Sequence, residues 1–362
     1  MSMIDFRSDT VTKPTKEMYE AMVSSPLGDH VNNEDPTVNK LQERCAQLFG
    51  KEAALFVPTG TMANLISIMV HCESRFQEVI IGSKSHIVYY EVGNAGHLAG
   101  VQLRSVENKD DGTFDLDEVS SLIRDKNDVH YPSTRLICVE NTHNKCGGKV
   151  LPLEFLKQVR KLADENDIKV HMDGARLLNA AVYLKVSPAE IVQYVDSVTL
   201  CFSKGLCAPA GSVVAGSKEF IDRSKWMCKA LGGTMRQVGV LAGPALVSLD
   251  TIYPRLHEDH EKALQIAKAI KNCGNDMITT SDVHTNIVII NISNIITAEQ
   301  FCHRLLQVPE KELEKLGESI RPEMWPFTKQ SVRLVVHQGI SQTDLDKTII
   351  KFQYVIQELV NK

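Results

Sequence analysis

The stretch SVTLCFSKGLCAPAGS, residues 197–212, is an apolar, β-branched run that delivers a lysine, Lys204, to a string of small residues and turn formers. In an open α/β sheet the ligand crevice lies at the carboxyl ends of the strands, so a lysine placed there points into it. An isolated S-K-G tripeptide reads more readily as a solvated lysine in a Gly/Pro-rich turn. The neighbouring segments reverse that reading.

Working outward, EVIIG (78–82), GVQLRSV (100–106), RLICVEN (135–141) and IKVHMD (168–173) are further short apolar runs, separated by longer segments with helical spacing. This alternation predicts a mostly parallel sheet with crossover helices. LEFLKQVRKLADEND (153–167) sets Leu153, Leu156, Val159 and Leu162 on one face and charges on the other, as a surface helix does. It links the strand ending near Asn141 to the strand ending near Asp173. Beyond Tyr253 the pattern changes to a helix rich in Ala, Lys and Glu (256–271), NIVIINIS (286–293), SVRLVVH (331–337) and a last amphipathic helix (343–360). The expected organisation is an N-terminal arm (1–15) packed on a large domain (16–255), followed by a smaller C-terminal α/β domain (256–362).

With 362 residues, 43% hydrophobic and 23% charged, the chain can bury a full core. A formal net charge of -5 offers no basic face for nucleic acid or an anionic membrane, so the expected ligand is small. No apolar run reaches bilayer length, and the opening MSMIDFRSDT lacks the regions of an export signal. Nine scattered cysteines without a C-x-x-C pair point to reduced thiols in the cytoplasm, with neither a disulfide frame nor a structural zinc site.

Thirty-one residues before Lys204, VHMDGARLLNA (170–180) ends a strand on Asp173 and opens a helix. A carboxylate there suits a protonated pyridine nitrogen, although an N-cap aspartate is the commoner role. Arg176 is close enough to reach the ring's phenolic oxygen. His171 is read as a packed or surface histidine on the opposite side of the strand. PTGTMANL (58–65) presents Gly60 and Thr61 at a helix N-terminus, where backbone N–H groups and the helix dipole favour a phosphate. Neither G-x-G-x-x-G nor G-x-x-x-x-G-K-[ST] occurs. In SHIVYYE (85–91), His86 is placed to lie over an aromatic ring; alone, it and His130 and His143 read as structural histidines.

Together these segments resemble the threonine aldolase family, a branch of the fold-type-I pyridoxal 5′-phosphate enzymes related to aspartate aminotransferase. FRSDTVT near the start, EDPTVNKLQ (34–42), PTGTMANL, SHIVYYE, VENTHN (139–144), HMDGARLLNA, FSKGL, GGTMRQVG (232–239) and VRLVVH (332–337) are colinear with the family pattern over nearly the whole chain. The resemblance implies an aspartate-aminotransferase-like fold with the cofactor on Lys204, Asp173 at the pyridine nitrogen, Arg176 at the ring hydroxyl, and Gly60 and Thr61 at the phosphate. It also implies His86 stacked on the ring near the substrate's β-hydroxyl, Tyr90 close by and His130 helping from the same side. Ser8 and Arg333 would hold the substrate carboxylate. Arg236 and Lys229 would reach a neighbouring subunit's site in a dimer or tetramer. The implied reaction is cleavage of threonine to glycine and acetaldehyde, with no metal site arguable from the residues.

Asn32, Asn33, Asn94, Cys207 and Thr234 depart from the family pattern in segments expected to line the site. Racemisation, β-elimination or decarboxylation of a small amino acid therefore stand beside the aldolase reading, as does a catalytically silent binding relative.

Overall fold

In a computed structural model, residues 3–274, 276–293 and 296–360 are described. Residues 1–2 of the expected arm, and 275, 294, 295, 361 and 362 of the expected C-terminal domain, lie outside them. The chain divides into two units, Pro14–Tyr253 and a second made of Met1–Lys13 with Pro254–Lys362.

The larger unit is organised by the buried β-branched runs. They form β1 (Ala53–Val57), β2 (Gln77–Gly82), β3 (Gln102–Val106), β4 (Ser133–Glu140), β5 (Lys169–Asp173), β6 (Ser197–Cys201) and β7 (Ser212–Gly216). Their spatial order is β1-β7-β6-β5-β4-β2-β3. From β6 through to β3 every pair is parallel, whereas β7 runs antiparallel to both β6 and β1. Strands buried on both faces need continuous apolar sequence. Every residue of β6 and β7 is buried accordingly.

The helix Leu153–Glu165 forms where its spacing places it, but its buried stripe is Phe155, Leu156, Val159 and Ala163, with Leu153 and Leu162 only half-buried at its edges. The helix Gly60–His71 follows β1 and is capped by Thr59, whose hydroxyl accepts from Met62 N at 3.1 Å. Ala63, Leu65, Ile66 and Ile68 bury against the sheet, each large aliphatic worth about 1.5–3 kcal/mol. Among the described residues no helix is long and apolar enough to cross a membrane.

The smaller unit holds an antiparallel sheet in which β8 (Ile278–Thr280), β9 (Ile287–Ile292), β10 (Trp325–Thr328) and β11 (Ser331–Val335) are ordered β10-β11-β9-β8. Val288, Ile290, Leu334, Phe301 and Phe352 share one core. The described opening residues join this unit. Ile4–Asp5 pairs in parallel with Pro322–Glu323, and Ile4 and Phe6 enter this unit's core. The reason is the two-residue alternation of a strand, which turns both apolar side chains inward.

Candidate active site

In the larger unit, the carboxyl ends of β4, β5 and β6 stand side by side. Glu140, the last residue of β4, is in register with Asp173, the last of β5. Lys204 follows β6 in a tight turn in which Cys207 N donates to Lys204 O at 2.9 Å and Ala208 N to Phe202 O at 3.0 Å. Gly211 N donates to Pro58 O at 3.1 Å and so ties this turn to the segment that opens the helix Gly60–His71. A parallel sheet thus delivers the lysine, the carboxylate and a helix N-terminus to one edge.

Asp173 is buried, with Oδ2 accepting from Asn64 Nδ2 at 2.9 Å and Oδ1 from Ala175 N at 3.1 Å. Burial opposes its charge, but the nearby charges of His86 and Lys204 and these two hydrogen bonds prevail, holding it below the usual aspartate value. It is a carboxylate kept ionised inside the protein.

His86 begins the short helix His86–Tyr89, and its backbone N–H donates to Glu140 Oε2 at 2.6 Å. Its Nδ1 lies 3.0 Å from Glu91 Oε1. Burial works to depress the imidazole pKa, yet the hydrogen bond to Glu91 and the Asp173 charge raise it above 6.5. Glu91 is itself raised by burial, despite hydrogen bonds from His86 and Asn64. The Tyr90 ring stands 5.3 Å from that of His86, and the Lys145 ammonium lies 3.9 Å from the Tyr89 ring centroid. Half-exposed aromatics and a cation therefore flank the histidine.

Gly60 is the first residue of its helix, and a Cβ there would come within 2.5 Å of Cys201 Sγ. Glycine lets the helix N-terminus sit directly on β6, with Thr61 exposed beside it. Arg176 is buried, with Nη1 3.4 Å from Asn144 Oδ1.

His130 does not stand on the His86 side. It precedes β4 at the sheet's amino edge, roughly 20–25 Å of strand from Glu140, and is an exposed partner of Asp128 at 2.7 Å. Arg236 pairs with Asp29 at 2.8 Å. Lys229, Asn33 and Thr234 line a cavity of about 210 Å³ that also includes His30 and Phe56. Asn32 is exposed, and Asn94 is buried with its amide 3.3 Å from Glu91. Cys207 is buried with φ 63, a left-handed conformation that favours glycine. Ser8 and Arg333 both belong to the smaller unit. Ser8 Oγ accepts from Thr10 N at 3.2 Å, and Arg333 Nη2 donates to Arg7 O at 3.4 Å.

His171 is not on the opposite side of its strand. It shares the Asp173 face, as residues two apart must, and both contact Asn64. Asn64, Glu91 and Glu140 were not singled out from sequence. A lone asparagine inside the apolar helix Gly60–His71 was the available signal, because a buried amide demands partners.

The donor set fits a phosphorylated pyridine aldehyde: an amine to carry it, an ionised buried acid for its ring nitrogen and a helix N-terminus with no Cβ in the way. The class this edge defines is that of the pyridoxal 5′-phosphate enzymes of fold type I. A family model described as beta-eliminating lyase matches residues 5–293. The chain is 42% identical to the probable low-specificity L-threonine aldolase 2 of Arabidopsis thaliana, over 97% of this chain and 97% of the plant protein. It is 40% identical to the low specificity L-threonine aldolase of Escherichia coli K12, over 95% and 96%. In fold it is similar to a threonine aldolase of Leishmania major, with a TM-score of 0.78 at 16% identity over 98% of this chain and 99% of the other. The protein belongs to the threonine aldolase family of carbon–carbon lyases.

Proposed function

We propose that this protein cleaves the Cα–Cβ bond of L-threonine and L-allo-threonine, giving glycine and acetaldehyde. The observation that carries this is the His86–Glu91 pair beside Asp173, at the edge where Lys204 emerges, in a chain matching low-specificity L-threonine aldolases along nearly its full length. When bound at Lys204, pyridoxal 5′-phosphate supplies the electron sink for the bond pair released at Cα.

This chain's residues do the rest. Asp173 holds a negative charge for the ring nitrogen, Arg176 serves the ring hydroxyl, and Gly60 and Thr61 serve the phosphate through the helix N-terminus. Ser8 and Arg333 are assigned to the substrate carboxylate, where a guanidinium fixes orientation as well as charge. Because Nδ1 of His86 is engaged by Glu91, Nε2 is the atom that takes the β-hydroxyl proton as the aldehyde leaves. A base raised above 6.5 is matched to work near neutrality, and such help is typically worth about 10²–10⁴-fold. Tyr90 lines the side from which the aldehyde departs. Lys229 and Arg236 are assigned to a neighbouring copy's site in a cytoplasmic homo-oligomer, dimer or tetramer; the exposure of both side chains supports this.

The test is to incubate the holoenzyme with L-threonine and L-allo-threonine and to quantify glycine and acetaldehyde. Equal amounts of the two products are expected. Loss of ammonia or α-proton exchange without acetaldehyde would replace the aldolase reading with elimination or racemisation.

A further inference from the structure

Behind Asp173 lies a line of buried polar side chains that the proposed reaction does not use. Asn64 Nδ2 faces two carboxylate oxygens, Asp173 Oδ2 and Glu91 Oε1, each at 2.9 Å, so only its nitrogen can occupy that position. Its Oδ1 then accepts, from His171 Nε2 at 3.1 Å and from Thr199 Oγ1 at 3.4 Å. His171 Nδ1 meets Ser197 Oγ at 2.8 Å, and the same hydroxyl meets His71 Nε2 at 2.7 Å. The register of β5 on β6 sets His171 directly opposite Ser197.

The proton positions follow by logic. His171 must carry its hydrogen on Nε2 to satisfy Asn64 Oδ1. Burial keeps this ring neutral, with a pKa lowered to about 4, so Nδ1 is an acceptor. Ser197 therefore donates to His171 and has only its lone pairs left for His71, which must donate through Nε2. His71 is also held neutral by burial, at about 3, and its ring is stacked on Phe220 with centroids 4.7 Å apart. Every donor in the line points the same way, from His71 to Asp173. The far end reaches a cavity of about 300 Å³ lined by His71, Lys169, Asp196, Phe220 and Arg223.

We propose that His71, Ser197, His171 and Asn64 are positioning residues, a one-way chain of hydrogen-bond donors that keeps the Asp173 carboxylate ionised and aimed for the cofactor's ring nitrogen. The proposal rests on Asp173 being the partner of that nitrogen. Aligned donors polarise one another, so removal of an outer link weakens the last one. A buried carboxylate with a weaker donor binds its own proton more readily and holds a pyridinium less well.

The experiment is ¹⁵N NMR of holoenzyme loaded with pyridine-¹⁵N-labelled pyridoxal 5′-phosphate, titrated for protonation of the ring nitrogen. Ser197→Ala and His171→Leu should lower the ring nitrogen's pKa by about one unit, the scale of a weakened hydrogen bond to a charged group. His171→Gln, which again offers Asn64 an N–H, should recover most of the shift. His71→Ala, at the outer end of the line, should shift it in the same direction by less. Wild-type titration in Ser197→Ala and His71→Ala, while Asp173→Asn alone abolishes protonation, would overturn the relay and leave the Asp173 reading intact. An unchanged titration in Asp173→Asn would overturn both.

Discussion

His86 Nδ1 and Glu91 Oε1 stand 3.0 Å apart, and this contact decides which imidazole nitrogen is available for chemistry and at what pH. The Glu91 carboxylate raises the His86 pKa above 6.5 against the depressing effect of burial. A general base works only when neutral, so turnover should fall as pH drops through that raised value. Glu91→Gln removes the charged hydrogen-bond partner and leaves only the Asp173 charge to raise it. The acid limb of the kcat/KM profile should move to lower pH, and the loss of orientation should cost roughly tenfold in kcat. An acid limb that stays in place would remove Glu91 from this role.

Lys204→Ala should lower turnover by at least about a thousandfold while leaving the protein folded, because the lysine's contribution is covalent and its side chain is only partly buried. The purified variant should also lack the borohydride-sensitive visible band that wild type shows. Wild-type turnover in this variant would be incompatible with attachment at position 204.

Much of this edge is legible in the amino-acid order, and what escapes has physical causes. The strands carrying Lys204 and Asp173 announce themselves because parallel strands buried on both faces must be continuous apolar runs. β7, SVVAG, follows directly on the Gly/Pro-rich turn after Lys204, and nothing local reveals its reversed direction. β10, Trp325–Thr328, contains a proline and is mostly exposed, so it lacks the alternation that marks a strand. Lys204, Asp173, His86 and the Gly60 turn stand out because each sits at an element boundary. Asn64, Glu91 and Ser197 gain their meaning only when separate segments meet, since Asn64 and Asp173 are 109 residues apart. His171 was readable from its two-residue spacing to Asp173 alone, and the structure restores it to that face.

Arg333→Ala tests the carboxylate assignment. The side chain is half-buried in β11, with its guanidinium carbon 5.9 Å from the Phe327 ring centroid. Loss of a charge-assisted contact to the substrate should raise KM for L-threonine by about 10–100-fold. A smaller fall in kcat should follow from poorer alignment of the breaking bond. An unchanged apparent affinity for glycine would place the carboxylate elsewhere.

Asp259 sets a stability limit in the smaller unit. It is 1% exposed in the helix Leu256–Lys271, and its Oδ1 has no hydrogen-bond partner among the described residues. Burial raises its pKa to about 7, with Lys262 opposing and Asp9 and Glu258 adding to the rise. The unfolded chain ionises this carboxyl near 3.8, so folding is unpenalised below that pH, and stability is lost progressively as pH rises from there through about 7. Asp259→Asn keeps the neutral shape and removes the charge. The variant should match wild type near pH 4 and exceed it by on the order of 2–4 kcal/mol at pH 8. Tm measured across that range should therefore decline less steeply for Asp259→Asn, and parallel curves for the two proteins would show that position 259 stays ionised in the folded state.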